Sequence, residues 1–227
     1  MIKIEKTEVF GWEAAIRGMR NPMNSWDKSD SIKCYANVDC PGICENNMSR
    51  ICIGENDFQL MKKLSAAGND HSKYLRMINV TCDITAPKFW WSEADTYKVG
   101  TVRNSCSKMH KIHVQPFKCD DFSHEGVDDV AVDYPSVFAI FKDYVDLMEW
   151  LREQFNETQE KRFWRALIEM LPEGYNMKAT LQLNYQVLKS MYNARKNHKL
   201  DEWRQFREWI ETLPYAKGLI YNDTKKE

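Results

Sequence analysis

The chain has 227 residues, 43% hydrophobic and 12% aromatic, enough to bury a sizeable core in one large domain or two small ones. Its 32 Lys and Arg against 33 Asp and Glu leave a formal net charge of -1 with no long basic block, which argues against a charge-driven nucleic-acid or membrane-surface binder. No apolar run approaches the ~20 residues needed to cross a bilayer, and the start "MIKIEKTEVFGW" lacks the apolar core of a signal peptide, so a cytoplasmic location is expected.

Residues 2–10 set Ile2 and Ile4 against Lys3 and Glu5, the two-residue period of a strand. Residues 11–20 suit a short helix that Asn21 and Pro22 stop. Residues 21–53 are rich in Asn, Ser, Asp, Cys and Gly without a sustained period, and read as a long loop or insertion. "ENDFQLMKKLSAAG" predicts a helix capped by Asn56, with Phe58, Leu60, Met61 and Leu64 on one face and Gly68 as the stop. "MINVTCDIT" alternates Ile78, Val80, Cys82 and Ile84 with polar residues, as a half-buried strand does. Pro87 opens a short aromatic helix, "PKFWWSEAD". A polar stretch, "DTYKVGTVRNSCSKMHKIH", then runs from Asp95 to His113, and "IHVQPF" reads as a brief strand. Two amphipathic helices follow, "PSVFAIFKDYVDLMEWLREQF" and "KRFWRALIEML", the second ended by Pro172. "ATLQLNY" sets Leu181 and Leu183 against Gln182 and Asn184 as a strand, and helices over 185–198 and 200–213 complete the pattern. With no repeats or linkers, this order predicts one α/β (mixed α+β) domain over 1–227, a central sheet flanked by helices.

The chain has no Gly-x-Gly-x-x-Gly, Walker-type or Gly-x-Ser-x-Gly motif. Its seven cysteines are an odd number, ill suited to a full disulfide framework. Cys34, Cys40, Cys44 and Cys52 cluster, but gaps of five, three and seven residues lack the regular short spacing of a tetrahedral zinc site, so free thiols and no metal are expected. His110 and His113 lie near Cys106 without an acidic or second Cys ligand at helical spacing, which favours solvated loop histidines. Trp90 and Trp91 beside Phe89 suit a stacking platform, a core or a subunit interface. In "LNYQVLKSMYNARKNHK", Asn184 ends a strand and Arg195 lies eleven residues on. Arg195 reads either as a donor fork for a phosphate or carboxylate, or as a cation stabilising a helix C-terminus.

Taken in order along the chain, these segments resemble the flavin-dependent thymidylate synthases, the ThyX family. "EAAIRG" is similar to the family's Ala-Ala-Arg-x-Ser segment, and "FQLMKKLSAAGNDHSKY" to its helix ending in Gly-His-Glu-x-Pro, with His71 on the His. "NVTCDITAPKFWW" is similar to the strand leading to Ala-Pro-x-Phe. "LPEGYNMKATLQLNYQVLKSMYNARKNH" is similar to the Leu-Pro segment, strand, Asn and later Arg, placing Asn184 and Arg195 on those two residues. The polar stretch stands where the family has Arg-His-Arg-x-x-Ser-x-Asn-Glu-x-Ser-x-Arg-Tyr. Lys98 and Thr101 are mild changes at its second Arg and first Ser, and after one extra residue Asn104 and Ser107 stand on its Asn and second Ser. Thr96 and Tyr97 replace the first Arg-His pair, Ser105 the Glu, Met109 the late Arg, and Gln186 a further flavin-binding Arg.

The resemblance implies a ThyX-like fold, cofactor-binding positions at His71, Lys98, Thr101, Asn104 and Asn184, and substrate-binding positions at Ser107 and Arg195. Its reaction reduces FAD with NADPH and carries a one-carbon unit from methylenetetrahydrofolate to deoxyuridylate (dUMP), with no protein nucleophile required. Each lost charge-assisted bond to an anion costs about 1.5–3 kcal/mol. FAD binding is therefore expected to be weak or lost, with NADPH and the folate relevant only where activity is retained. Two functions follow: a divergent thymidylate synthase methylating deoxyuridylate, or a non-catalytic relative that binds a nucleotide or a protein. The family's sites lie between subunits of a homotetramer, and Trp90, Trp91, Trp150 and Trp164 would suit such contacts.

Overall fold

A computed structural model describes residues 1–33 and 51–222. The strands are β1 (Lys3–Phe10), β2 (Ile32–Lys33), β3 (Ile51–Cys52), β4 (Asn79–Pro87), β5 (Val102–Ser105) and β6 (Asn176–Asn184). The helices are α1 (Trp12–Arg20), α2 (Glu55–Ala66), α3 (Lys88–Ala94), α4 (Lys108–Lys111), α5 (Glu125–Ala131), α6 (Pro135–Thr158), α7 (Lys161–Met170), α8 (Tyr185–Ala194), α9 (Asp201–Glu211) and α10 (Ala216–Leu219). The fold is mixed α+β. One sheet has the order β1-β4-β6-β5, and β2 pairs antiparallel with β3, Ile32 opposite Cys52. Val80, Cys82, Ile84 and Ala86 of β4 are buried at alternate positions, as are Ala179, Leu181 and Leu183 of β6. The period of two in the sequence is therefore the period of burial.

Three local expectations change. Residues 112–117 form turns, not a strand: the Val114 amide bonds the Lys111 carbonyl at 3.1 Å, and the Phe117 amide bonds the Glu149 carboxylate at 2.8 Å. Strands not foreseen are β5, an edge strand of the sheet whose exposed Val102 and half-buried Arg103 carry no apolar alternation to reveal it, and the two-residue strands β2 and β3 within the stretch 21–53. Asn56 is not the cap of α2. The Asp30 carboxylate accepts from the Asn56 and Asp57 amides at 2.9 and 3.0 Å, so a residue distant in sequence caps the helix. The side of α2 that faces inward carries Asp57, Met61 and Ser65, while Phe58, Leu60 and Leu64 are half-buried. Polar groups could take the inner face because each finds a tertiary hydrogen bond there. Gly68 ends this segment in the left-handed conformation, φ +100°, as expected.

The chain forms two compact units. Unit 1 holds Met1–Lys3, Ile84–Thr96 and Asn104–Ala179; unit 2 holds Ile4–Asp83, Tyr97–Arg103 and Thr180–Glu227. In unit 1, α6 begins at Pro135 and buries Val145, Met148 and Leu151 with Leu167 of α7, Phe117 and Phe122. Trp90 and Trp91 are not exposed interface aromatics: they are 0% and 2% exposed, their rings meet edge-on at 5.0 Å, and Trp91 Nε1 donates to the Met177 carbonyl at 3.0 Å. Trp164 is half-buried and donates to the Met109 carbonyl at 3.0 Å, whereas Trp150 is exposed on α6. Among the described residues no helix is long and apolar enough to cross a membrane.

In unit 2, α1 buries Trp12, Ala15, Ile16 and Met19, and the Trp12 ring meets Tyr185 at 5.3 Å and Tyr215 at 5.4 Å. Beneath this layer lies an ion pair. Arg20 is 4% exposed and Asp57 0%, and Arg20 Nε donates to Asp57 at 2.6 Å. The other Asp57 oxygen accepts from the Ser29 and Ser31 hydroxyls at 2.7 and 2.6 Å and from the Ser31 amide at 3.1 Å. The remaining Arg20 donors reach the Ser25 and Lys28 carbonyls at 3.1 and 3.0 Å. Burial pushes the Asp57 carboxyl up, but the bonds from Ser31, Ser29 and Arg20 outweigh it and hold the group below its ordinary value.

Removing one member of such a pair leaves the other charge buried. Asp57→Ala is expected to cost about 3–5 kcal/mol, lowering the melting temperature on the order of 10 °C, read by calorimetry. Because the folded-state pKa is lowered, the carboxylate's contribution is complete above its ordinary value of 3.8 and fades as pH falls below it. Wild type should therefore lose stability faster than Asp57→Asn as pH falls below about 4, and parallel slopes would contradict this account.

Candidate functional site

The site expected from sequence centres on the junction of β6 and α8. Asn184 ends the strand with extended backbone, and its side-chain oxygen accepts from the Val187 amide at 3.1 Å, a helix N-cap. The next residue is held from two sides: the Tyr185 amide bonds the Ile78 carbonyl at 3.0 Å, and the Tyr185 hydroxyl donates to the Pro214 carbonyl at 2.6 Å. Burial raises the Tyr185 pKa well above its ordinary value, so the phenol stays a donor. Tyr185, Leu188 and Met191 form the buried stripe that orients α8.

The helix stops at Ala194, short of the expected His198, because Arg195 leaves the helical region at φ -100°, ψ 14°. Arg195 thus sits at the helix C-terminus, as one reading of it held. Its guanidinium carbon also lies 4.4 Å from the Trp203 ring centre and 5.5 Å from that of Tyr97, and its Nε donates to the Tyr97 hydroxyl at 3.1 Å. The arginine is held on two aromatic faces by a cation–π contact and a hydrogen bond. Neither ring was foreseen in this role. Trp203, Phe206 and Ile210 follow the helical period of α9, so periodicity assigns Trp203 to the core, where it is fully buried.

The polar loop Tyr97–Arg103 belongs to the same unit and closes on α8. Gly100 has φ +82°, and a Cβ there would lie 2.9 Å from Asn184 Nδ2 and 3.1 Å from Val187 Cγ2. Only glycine allows that approach without strain. The Thr101 hydroxyl donates to the Tyr97 carbonyl, bracing the loop, and Lys98 is exposed on it. The loop that carries Lys98 and Thr101 therefore lies against Asn184 through Gly100 and against Arg195 through Tyr97. Gln186 holds its own network: Ser72 Oγ donates to its side-chain oxygen at 2.9 Å and its nitrogen donates to Asn69 at 3.2 Å. His71, between those two residues, is exposed. Asn104 and Ser107 belong to unit 1, both exposed, on β5 and immediately before α4.

Other chemistry-bearing groups fall elsewhere. A cleft of about 700 Å³ in unit 2, lined by residues including Arg20, Ser25, Asp30 and Asn56, contains none of the expected site residues. The His113 ring packs edge-on against Phe155 at 5.0 Å, so it is not a solvated loop histidine. Among the described residues no group of His, Cys, Asp and Glu is placed to hold a metal ion. Cys52 is half-buried; Cys34, Cys40 and Cys44 lie outside the described residues.

No protein-family model and no curated protein matches the sequence. Solved structures do. The flavin-dependent thymidylate synthase ThyX of Helicobacter pylori, complexed with FAD and dUMP, is 18% identical over 96% of this chain and 97% of its own, with a TM-score of 0.64. A second ThyX structure from that organism, with FAD and dUMP, gives 17% identity, 97% coverage of each chain and a TM-score of 0.65. The chain has the ThyX fold.

Two substitutions probe the junction. Asn184→Ala removes the N-cap and should cost about 1 kcal/mol. Gly100→Ala puts an L-residue in the left-handed region and should cost about 1–2 kcal/mol before any clash with Asn184 is counted. Denaturant titration checks both, and a Gly100→Ala variant as stable as wild type would refute the close approach.

Proposed function

We propose that this protein is a divergent ThyX-fold nucleotide binder that takes a nucleoside monophosphate of the deoxyuridylate type on the wall formed by the loop Tyr97–Arg103, Asn184 and Arg195. The observation that carries the reading is the placement of Arg195 on Trp203 and Tyr97. Stacking sets the plane of the guanidinium before any ligand arrives, so less side-chain freedom is lost on binding an anion. Lys98, exposed on the loop, adds a second cation, and Thr101 and Asn184 supply neutral polar groups. His71 and, in unit 1, Asn104 and Ser107 keep the roles that the resemblance implies, Ser107 toward substrate and the other two toward cofactor. The fold of the FAD- and dUMP-complexed neighbours supports this reading.

The residues present do not fit a tightly held FAD. Where the family places cations, the chain has neutral side chains that are already engaged. Thr96 donates to the Glu93 carbonyl at 2.7 Å, the Tyr97 hydroxyl accepts from Arg195, and Gln186 bonds Ser72 and Asn69. A neutral amide cannot replace the charge-assisted bonds that a guanidinium makes to a diphosphate. The favoured reading is therefore a non-catalytic nucleotide-binding relative, with a homo-oligomer, a tetramer as in the family, as its assembly. Methylation of deoxyuridylate, with NADPH and methylenetetrahydrofolate, becomes the better reading if FAD is retained.

Titration of deoxyuridylate into wild type and Arg195→Ala tests the site. The variant should bind more weakly by about 1.5–3 kcal/mol, tenfold or more. Its melting temperature should fall slightly, because a cation–π contact worth about 0.5–1 kcal/mol is also lost. Wild type that binds no deoxyuridylate at millimolar concentration would end the nucleotide reading. Protein purified with about one FAD per chain would overturn the non-catalytic one.

A further inference from the structure

The outer side of α6 carries large apolar side chains that its packing within unit 1 does not use. Val145, Met148 and Leu151 are the buried residues of this helix. Ile140, Leu147 and Trp150 are 67%, 41% and 49% exposed. Spacings of seven and three residues set these three on one stripe along the axis, because a helix returns to the same face every two turns. Single exposed apolar residues are ordinary on a surface, whereas several on one helical stripe make a face that a partner can cover. The Trp150 ring meets Phe163 of α7 edge-on at 5.9 Å, which holds its plane while half of it stays in solvent.

The charge beside the stripe is mostly of one sign. Asp143, Asp146, Glu153 and Glu157 follow one another at three, seven and four residues, all exposed, and so form a row along the same outer side. Asp143 falls within the apolar stripe, between Ile140 and Leu147. Lys142 is the one exposed cation of α6. Arg152 is taken up by Glu149, its Nε donating to that carboxylate at 2.8 Å. On α7, Arg162 pairs with Glu160 at 2.8 Å and Arg165 with Glu169 at 2.6 Å. Asp143 and Asp146 form no ion pair among the described residues. A second copy of this face would set carboxylates against carboxylates, and an anionic lipid surface would be repelled in the same way. A cationic partner is attracted, and its own apolar side can cover the stripe.

We propose that the outer side of α6 docks a basic amphipathic helix of another protein, its apolar face on Ile140, Leu147 and Trp150 and its lysines or arginines against Asp143, Asp146 and Glu153. The surface lies within unit 1 and does not depend on the nucleotide reading of unit 2.

The test is fluorescence anisotropy of a labelled synthetic peptide of about 18 residues, leucine and lysine set out at the helical period, titrated with the full-length protein. A peptide of the same composition in scrambled order, which has no apolar stripe, is the comparison and should bind about tenfold more weakly. Leu147 is exposed, so Leu147→Ser should fold as wild type does, checked by circular dichroism, and should weaken binding of the amphipathic peptide about tenfold. Asp143→Asn combined with Asp146→Asn should weaken it about three- to tenfold and reduce its salt dependence. Glu208→Gln, which removes an exposed carboxylate from α9 in unit 2, should match wild type. Equal binding of the two peptides, no binding by wild type at about 100 μM, or an unchanged affinity in Leu147→Ser overturns the proposal. So does light scattering that shows a dimer dispersed by Leu147→Ser, because the face then belongs to a second copy.

Discussion

The hydrogen bond from the Val187 amide to the Asn184 side chain is the constraint on which the candidate site depends. It turns a strand into a helix within one residue, so the end of β6 and the start of α8 cannot move independently. Tyr185, bonded at its amide and at its hydroxyl, fixes the direction that the helix then takes. Gly100 can lie against the Asn184 amide only because it has no Cβ, and that contact brings the polar loop onto the helix. Arg195, at the far end of α8, meets the same loop through Tyr97. One cap, one glycine and one aromatic contact thus hold the loop that carries Lys98 and Thr101 against the helix between Asn184 and Arg195.

The two arginines at the centre of these arguments are satisfied in opposite ways. Arg20 is enclosed by oxygen: a carboxylate, a hydroxyl and backbone carbonyls use its donors, and nothing about that arrangement invites a ligand. Arg195 rests on the Trp203 and Tyr97 rings, which hold the plane of its guanidinium. A buried pair of the first kind holds a chain segment in position, here linking α1, the Ser29–Ser31 segment and α2. A stacked cation of the second kind has the plane of its donors fixed. The cleft of about 700 Å³ in unit 2 lies beside Arg20 and is lined by none of Lys98, Thr101, Asn184 and Arg195.

A fold shared at such low identity follows from how a fold is specified. The fold needs apolar residues at the right period, a few caps and a few left-handed positions, and many sequences meet those demands. A flavin pocket needs particular charged groups at particular places. When Gln186 stands for an arginine, the backbone is untouched, but a monovalent fork of donors becomes a neutral amide that bonds its own neighbours. The architecture can survive such changes, because its own determinants lie elsewhere in the chain.

Where apolar residues alone follow the period of burial, as in β4 and β6, the sequence was sufficient. The alternation in β4 and β6, the stripe of α1 and the long apolar face of α6 were legible because neighbours in the chain share a face at fixed spacing. Asn184 and Arg195 could also be singled out, from their spacing and from the family that the chain resembles. What sequence could not provide were contacts between residues distant along the chain. Asp30 caps α2 from 26 residues away, Asp57 and Ser65 occupy an inward face that periodicity reserves for apolar groups, and Tyr97 and Trp203 hold Arg195. Tertiary structure decided these, because a polar or charged side chain is stable inside a protein only where a distant group happens to complete its hydrogen bonds or cover its face, and no local pattern records that meeting.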